Sequence, residues 1–557
     1  MLELIFVLCF LGNCFGEDAH LIVETSLGKI RGHYKKTFLG NFYRAFEGVP
    51  YAEPPLGALR FRDPEPIRPW SGTLFAGRIE GNCMAYLHEK MAVNGDRVEG
   101  TEDCLYLNIY TPENKTMSRM LPVLFYMHGG SFQFGTGNRA ESRYIMNRDV
   151  VFVSVNYRLG PFGFLSTEDE VVPGNMGLKD QSLAIKWVKN HIEAFGGDPN
   201  RITLVGLSAG GASVQYHYLS PMSRGLFHAG ISISGTALDC WAQTENSLEK
   251  SKKLASILGC PTTNTSSMVE CLRTRPGKGI SQAVGEFQPW LFNPLTAFGP
   301  VIERKSPKAF INRPPVEIII NGDVADLPWM TTLVSEEGLY PGAEFAGDEE
   351  LMKELDSNWN RIIPYLLEFN FTVPVSEHQE VAQKIREYYL GSRKVDKKSI
   401  MSVIHMVGDR LFAVDAEKAA RMMAEANKSP VWFSLYSFRK PDSLSDLFIP
   451  SKPNLGVSHA DDLRLVLNDP RRPEITDGKS LAMQKVLLDI WISFATDGIP
   501  KANTRWTTVD PTSKLLNYLH IYGLTDIQME MQSDFGQKLF WETINFNENL
   551  ISQFKVL

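Results

Sequence analysis

Arg201-Ile202-Thr203-Leu204-Val205-Gly206-Leu207-Ser208-Ala209-Gly210-Gly211-Ala212-Ser213-Val214 reads as an apolar strand, a G-x-S-x-G turn and the small-residue opening of a helix. A serine hydroxyl is a poor nucleophile unless it stands out on a strained turn, facing a general base and backbone N–H donors. Glycines two residues before and two after Ser208 remove the Cβ atoms that would block so sharp a turn. The pentapeptide is short enough to arise by chance. Its place between a strand and a helix is what makes Ser208 a candidate nucleophile.

Working outward, the same rhythm continues on both sides. Leu121 to Met127, Val150 to Asn156, Arg201 to Val205 and Ala229 to Ser234 read as buried strands, and Leu178 to Ile192 as an amphipathic helix. Alternation of this kind predicts an α/β fold around a large, mostly parallel sheet flanked by helices. Residues 240 to 420 carry helical patterns, such as Ser247 to Leu258 and Glu377 to Tyr389, broken by Pro-rich loops. They read as insertions over the working edge of the sheet. Val431 to Tyr436 restores a strand, and Lys479 to Thr496 reads as a long C-terminal helix. With no repeat, linker or charge block to cut at, residues 17–557 are expected to form one domain.

The 557 residues include 43% hydrophobic and 22% charged side chains, the balance of a chain with a large buried core. A formal net charge of -7 gives no electrostatic footprint for nucleic acid. Leu2 to Phe15 are mostly apolar and lead to Cys14-Phe15-Gly16, so residues 1–16 read as a secretory leader, although Glu3 stands where a basic residue is usual. No later stretch reaches the length of a membrane span. Cys9 and Cys14 leave with that leader. Of the remaining five, Cys83 with Cys104 and Cys260 with Cys271 form two neighbour pairs, and Cys240 is left over. Closing so short a loop is worth roughly 3 kcal/mol in the chain-entropy model. Sequons at Asn114, Asn264, Asn370 and Asn427 fit a secreted glycoprotein carrying N-glycans, the last weakened by Pro430.

A hydrolase built on Ser208 requires a base, an acid to orient it and an oxyanion hole. His128-Gly129-Gly130-Ser131 follows a strand and matches an HGGG-type loop, so Gly130, Ser131 and Ala209 are the expected N–H donors. The chain order in this kind of site is Ser, then acid, then His. His217 follows the turn too closely, and His378 lies in a charged run. His459 stands in a loop after a strand, with Gly456 to bend it. The acid falls in Ser335-Glu336-Glu337-Gly338, where spacing leaves Glu336 and Glu337 equal candidates. No His/Cys/Glu cluster has metal-ligand spacing, and no cofactor is expected.

These segments, with Phe46-Glu47-Gly48-Val49-Pro50-Tyr51-Ala52-Glu53-Pro54-Pro55, Glu102-Asp103-Cys104-Leu105-Tyr106-Leu107-Asn108, Asn156-Tyr157-Arg158-Leu159-Gly160 and Phe195-Gly196-Gly197-Asp198-Pro199-Asn200, resemble the type-B carboxylesterases, the cholinesterase-like family of α/β-hydrolases. The texture is closest to insect secreted carboxylesterases of the venom carboxylesterase group. The resemblance runs along almost all of the chain after the leader. It implies helical insertions over an active-site gorge, Glu337 as the acid, His459 as the base, both disulfide pairs, and structural ion pairs Arg60–Glu102 and Arg158–Asp180.

Departures from the family bear on substrate. The family usually carries an acid where this chain has Leu207, and cholinesterases place a tryptophan in the loop closed by Cys83 and Cys104, which has none here. Both point away from a cationic substrate and toward a lipophilic neutral ester. A glutamine is typical of juvenile hormone esterases at the Leu207 position, which argues against that role. Phe132, Trp290, Leu291, Phe292 and Phe298 are candidates for an apolar pocket. The rival readings are an esterase-like protein that is acylated and sequesters its ester, and a cholinesterase-like interaction module without catalysis.

Overall fold

The computed structural model describes residues 21–92, 94–113, 119–449 and 451–547, so the expected leader and the Asn114 sequon lie outside the described residues. Among the described residues, eleven strands build the main sheet. In chain order they are β1 (His33–Lys36), β2 (Phe42–Pro50), β3 (Tyr106–Pro112), β4 (Leu121–Met127), β5 (Val151–Val155), β6 (Gly197–Leu207), β7 (Ala229–Ile233), β8 (Trp329–Val334), β9 (Val431–Tyr436), β10 (Leu516–Ile521) and β11 (Ile527–Gln532). Across the sheet the order is β11-β10-β9-β8-β7-β6-β4-β5-β3-β2-β1. Every pairing from β5 through β10 is parallel. The strands outside that block, β1 to β3 and β11, pair antiparallel.

The continuous apolar runs follow from burial on both faces. Along β4, Val123, Phe125 and Met127 enter one hydrophobic cluster while Leu124 and Tyr126 enter another; along β6, Ile202 and Leu204 take the first and Val205 the second. Helices α1 (Met176–His191) and α2 (Ala209–Leu219) complete the first cluster through Leu178, Trp187 and Val214. Helix α3 (Gly478–Asp497) completes the second through Met483, Leu487 and Trp491. The sheet is therefore a wall between two cores.

Strand β6 is longer than the Arg201 to Val205 run suggested. Gly206 and Leu207 still pair, with Ser232 and Ile233, so the strand runs up to the serine itself. The insertions are helical as expected, with helices at Ser247–Ile257, His378–Tyr389 and Val414–Ala426 among others. No helix among the described residues is long and apolar enough to cross a membrane.

Candidate active site

Ser208 is the single residue between β6 and α2, and its backbone takes φ 57°, ψ −122°. A non-glycine residue there costs on the order of 1–3 kcal/mol and persists only where its surroundings hold it. They do: its N–H donates to Ile233 O at 2.7 Å and its carbonyl accepts from Ala212 N at 2.9 Å. The flanking glycines serve by leaving space. A Cβ on Gly206 would stand 2.1 Å from Gly210 O, and one on Gly210 would stand 2.1 Å from Met127 O. The serine is 5% exposed.

The loop after β4 runs against this turn, where a Cβ on Gly129 would lie 2.9 Å from Ser208 Cβ. Gly130, Ser131 and Phe132 take positive φ of 117°, 53° and 59° in succession, and Gln133 N and Phe134 N both donate to Gly130 O. Three such residues in succession coil the backbone tightly after Gly129, the residue that lies against the serine. His128 stacks on Tyr157 beneath the loop, and the Tyr157 hydroxyl donates to His128 O at 2.8 Å. Burial pushes the His128 imidazole down to about 4, so it is neutral at physiological pH.

Beyond the end of β8, the two glutamates part company. Glu337 Oε1 accepts from Val334 N at 2.9 Å and from Ser234 Oγ at 2.5 Å, while Oε2 lies 2.6 Å from His459 Nδ1. Glu336 points elsewhere, its Oε2 accepting from Val457 N and from Ser335 Oγ at 2.6 Å each. The carboxylate that meets the histidine is thus Glu337, and Glu336 ties down the backbone of the histidine's loop. His459 is buried, its ring stacked on Tyr340 and tilted against Phe412.

Three side chains that the sequence did not single out support this arrangement. Ser234, just past β7, holds Glu337. Asp461 anchors the loop, accepting from Ser458 N, Ser443 Oγ and Leu444 N at 2.6–2.9 Å. Asp462 lies close behind: burial, then the charge of Glu337, pushes its carboxyl up to about 7. The adjacency of Asp461 and Asp462 to His459 was a signal available in the sequence; that of Ser234 was not, since it reads as a strand end.

Of the aromatic candidates, Phe132 is buried against Phe164 and Trp241, and Phe292 packs on Phe134. Gln133 Nε2 donates to Phe298 O, and Thr296 Oγ1 to Ser131 O at 3.3 Å, so Thr296 and Phe298 lie on the loop after β4. Trp290 turns to Phe345, and Leu291 is partly buried. Leu207 is partly buried against the second core cluster.

The framework expected from the resemblance is present. Arg60 meets Glu102 through Nε and Nη2 at 2.7 and 2.5 Å, and Arg158 meets Asp180 likewise at 2.8 and 2.6 Å. Cys83–Cys104 and Cys260–Cys271 are disulfides, and Cys240 is in neither. Asn264 is exposed, Asn370 half-buried, and both amide atoms of Asn427 are buried without a partner. Among the described residues no group of three or more His, Cys, Asp and Glu could hold a metal.

A model of the carboxylesterase family matches residues 19–537. A carboxylic ester hydrolase of Bombus ignitus is 51% identical over 532 residues, covering 95% of each chain. Venom carboxylesterase-6 of Apis mellifera is 49% identical over 557 residues, covering 99% of this chain and 100% of that one. Among solved structures, the juvenile hormone esterase of Manduca sexta with OTFP covalently attached superposes with a TM-score of 0.83 at 26% identity, covering 94% of this chain and 99% of its own.

Proposed function

Because the chain belongs to the carboxylesterase family and is a carboxylic ester hydrolase of the insect type with the α/β-hydrolase fold, we propose that it hydrolyses neutral esters through an acyl-enzyme on Ser208. His459 takes the Ser208 proton as Oγ attacks the ester carbonyl. Glu337 fixes the imidazole and stabilises its charged form, and the oxyanion lies against the N–H groups of Gly130, Ser131 and Ala209. His459 then protonates the departing alcohol. Water repeats the sequence on the acyl-enzyme and releases the acid. Losing one oxyanion donor costs about 10²- to 10³-fold in such sites.

The observation that carries this reading is the 2.6 Å contact between His459 Nδ1 and Glu337 Oε2, in a chain whose strained turn presents Ser208. The covalent adduct in the Manduca sexta esterase supports the covalent route by likeness. Leu207 and the aromatic residues on the loop after β4 favour a lipophilic, uncharged ester. We take residues 17–557 as one domain, secreted after loss of a 16-residue leader and N-glycosylated, acting without metal or cofactor.

A burst assay on neutral aryl esters tests the proposal. Wild-type protein is expected to show a burst followed by steady turnover, and Ser208→Ala neither. A burst without turnover would mean sequestration instead, and equal rates in the two proteins would remove Ser208 from the mechanism. Glu337→Gln should lower kcat by about 10⁴-fold, the scale of losing a triad acid. Glu336→Gln keeps a side-chain oxygen to accept from Val457 N and Ser335 Oγ, and should leave the folded enzyme turning over.

A further inference from the structure

Toward the β11 edge of the sheet, three side chains form a hydrogen-bonded chain that ester hydrolysis at Ser208 does not use. Ser437 directly follows β9, His520 lies in β10 and Glu530 in β11. Ser437 Oγ is 2.8 Å from His520 Nε2, and His520 Nδ1 is 3.0 Å from Glu530 Oε2. The register explains the meeting. His520 pairs with Leu435 on one side and Gln528 on the other, so Ser437 and Glu530 are both diagonal neighbours two residues on.

The protonation pattern follows from Glu530. Burial pushes its carboxyl up, but hydrogen bonds from His520, Tyr522 and Tyr518 outweigh that and hold it below the ordinary carboxylate range. The two tyrosine hydroxyls donate to it at 2.8 and 2.9 Å. An ionised carboxylate only accepts, so the imidazole proton sits on Nδ1 and Nε2 is left to accept from the Ser437 hydroxyl. The ring is 6% exposed and stacks on Tyr522 with centroids 3.5 Å apart, which fixes its plane. Ser437 itself is partly exposed.

We propose that Ser437 is a second nucleophilic serine, modified once per chain by activated aryl esters and organophosphorus esters, with His520 as its base and Glu530 orienting the imidazole. Ser437 Oγ forms a bond to the acyl carbon or phosphorus as its proton passes to His520 Nε2. The aryloxide or fluoride leaves with its bonding pair, and the imidazolium returns the proton to it or to water. The site differs from Ser208 in one respect that sets its outcome. Ser208 turns the chain sharply at φ 57°, whereas the Ser437 backbone is outside the left-handed region, so Ser437 lacks the elbow that offers the next N–H as an oxyanion donor. Only substrates with good leaving groups should react, and the adduct should persist. β9 is three strands from β6, roughly 14 Å at the usual strand spacing.

The test uses Ser208→Ala protein, so it stands apart from the reading of Ser208. The protein is treated with a fluorophosphonate or with p-nitrophenyl acetate and followed by intact mass and peptide mapping. One adduct on Ser437 is expected, forming about 10²-fold more slowly in Ser208→Ala/His520→Gln, the scale of losing a positioned base. No adduct on Ser437, one scattered over surface serines and tyrosines, or one whose rate ignores His520→Gln would overturn the proposal. If that variant does not fold, Ser208→Ala/Glu530→Gln decides: an adduct on Ser437 that forms more slowly supports the proposal, and an unchanged rate overturns it.

Discussion

Asp462 lies behind His459 with its carboxyl pushed up to about 7 from an unfolded value of 3.8. Between those values the folded chain holds a proton that the unfolded chain has lost, so this group subtracts stability as pH rises from about 4 to 7, and the loss is then constant. Asp462→Asn removes the dependence. Its urea midpoint, compared with wild type, should shift in the variant's favour between pH 5 and pH 8, and an unchanged difference would show that Asp462 does not titrate there. Ser208 could be nominated from its turn motif, and His459 and an acid at 336 or 337 from the chain order that the proposed chemistry demands together with the family resemblance. The choice between Glu336 and Glu337 was not legible from spacing, since adjacent carboxylates differ only in what each comes to face. Ser234 was illegible for a related reason: its role exists only once β7 and β8 lie side by side.

Among the elements, β4 to β7 and β9 could be read because burial on both faces leaves long apolar runs, whereas β1, with His33-Tyr34-Lys35-Lys36, and β11 carry polar edge sequences that hide them. The helix Thr265–Thr274 shows what a cap can share. Asn264 is its N-cap, and its Oδ1 accepts from Ser267 N at 3.0 Å, which leaves Nδ2 toward solvent. A glycan at Nδ2 is therefore compatible with the cap, whereas the buried amide of Asn427 has no room for one. Glycopeptide mapping of protein secreted from insect cells should find sugar on Asn264 and none on Asn427. A glycan on Asn427 would contradict the packing around the end of the Val414–Ala426 helix.

At the scale of the whole molecule, stability of the working end rests on ion pairs set back from it. Arg158 and Asp180 are almost wholly buried, and Arg158 Nη1 also donates to Arg62 O at 2.7 Å. Arg158→Ala strands a buried carboxylate and should cost about 3–5 kcal/mol, read as a lowered denaturation midpoint, with an unchanged midpoint counting against a structural role. The fold class was legible from the alternation of strand and helix. The path by which residues 240 to 420 cover the site was not, because helix positions in insertions depend on packing partners far away in the chain. That distance has a consequence in time. His459 is made 251 residues after Ser208, so at 5–20 residues per second roughly 10–50 s of synthesis separate the two. On the proposed mechanism the nascent chain carries its serine without a base throughout that interval, and hydrolysis would begin only once the sheet has closed around the last third of the sequence.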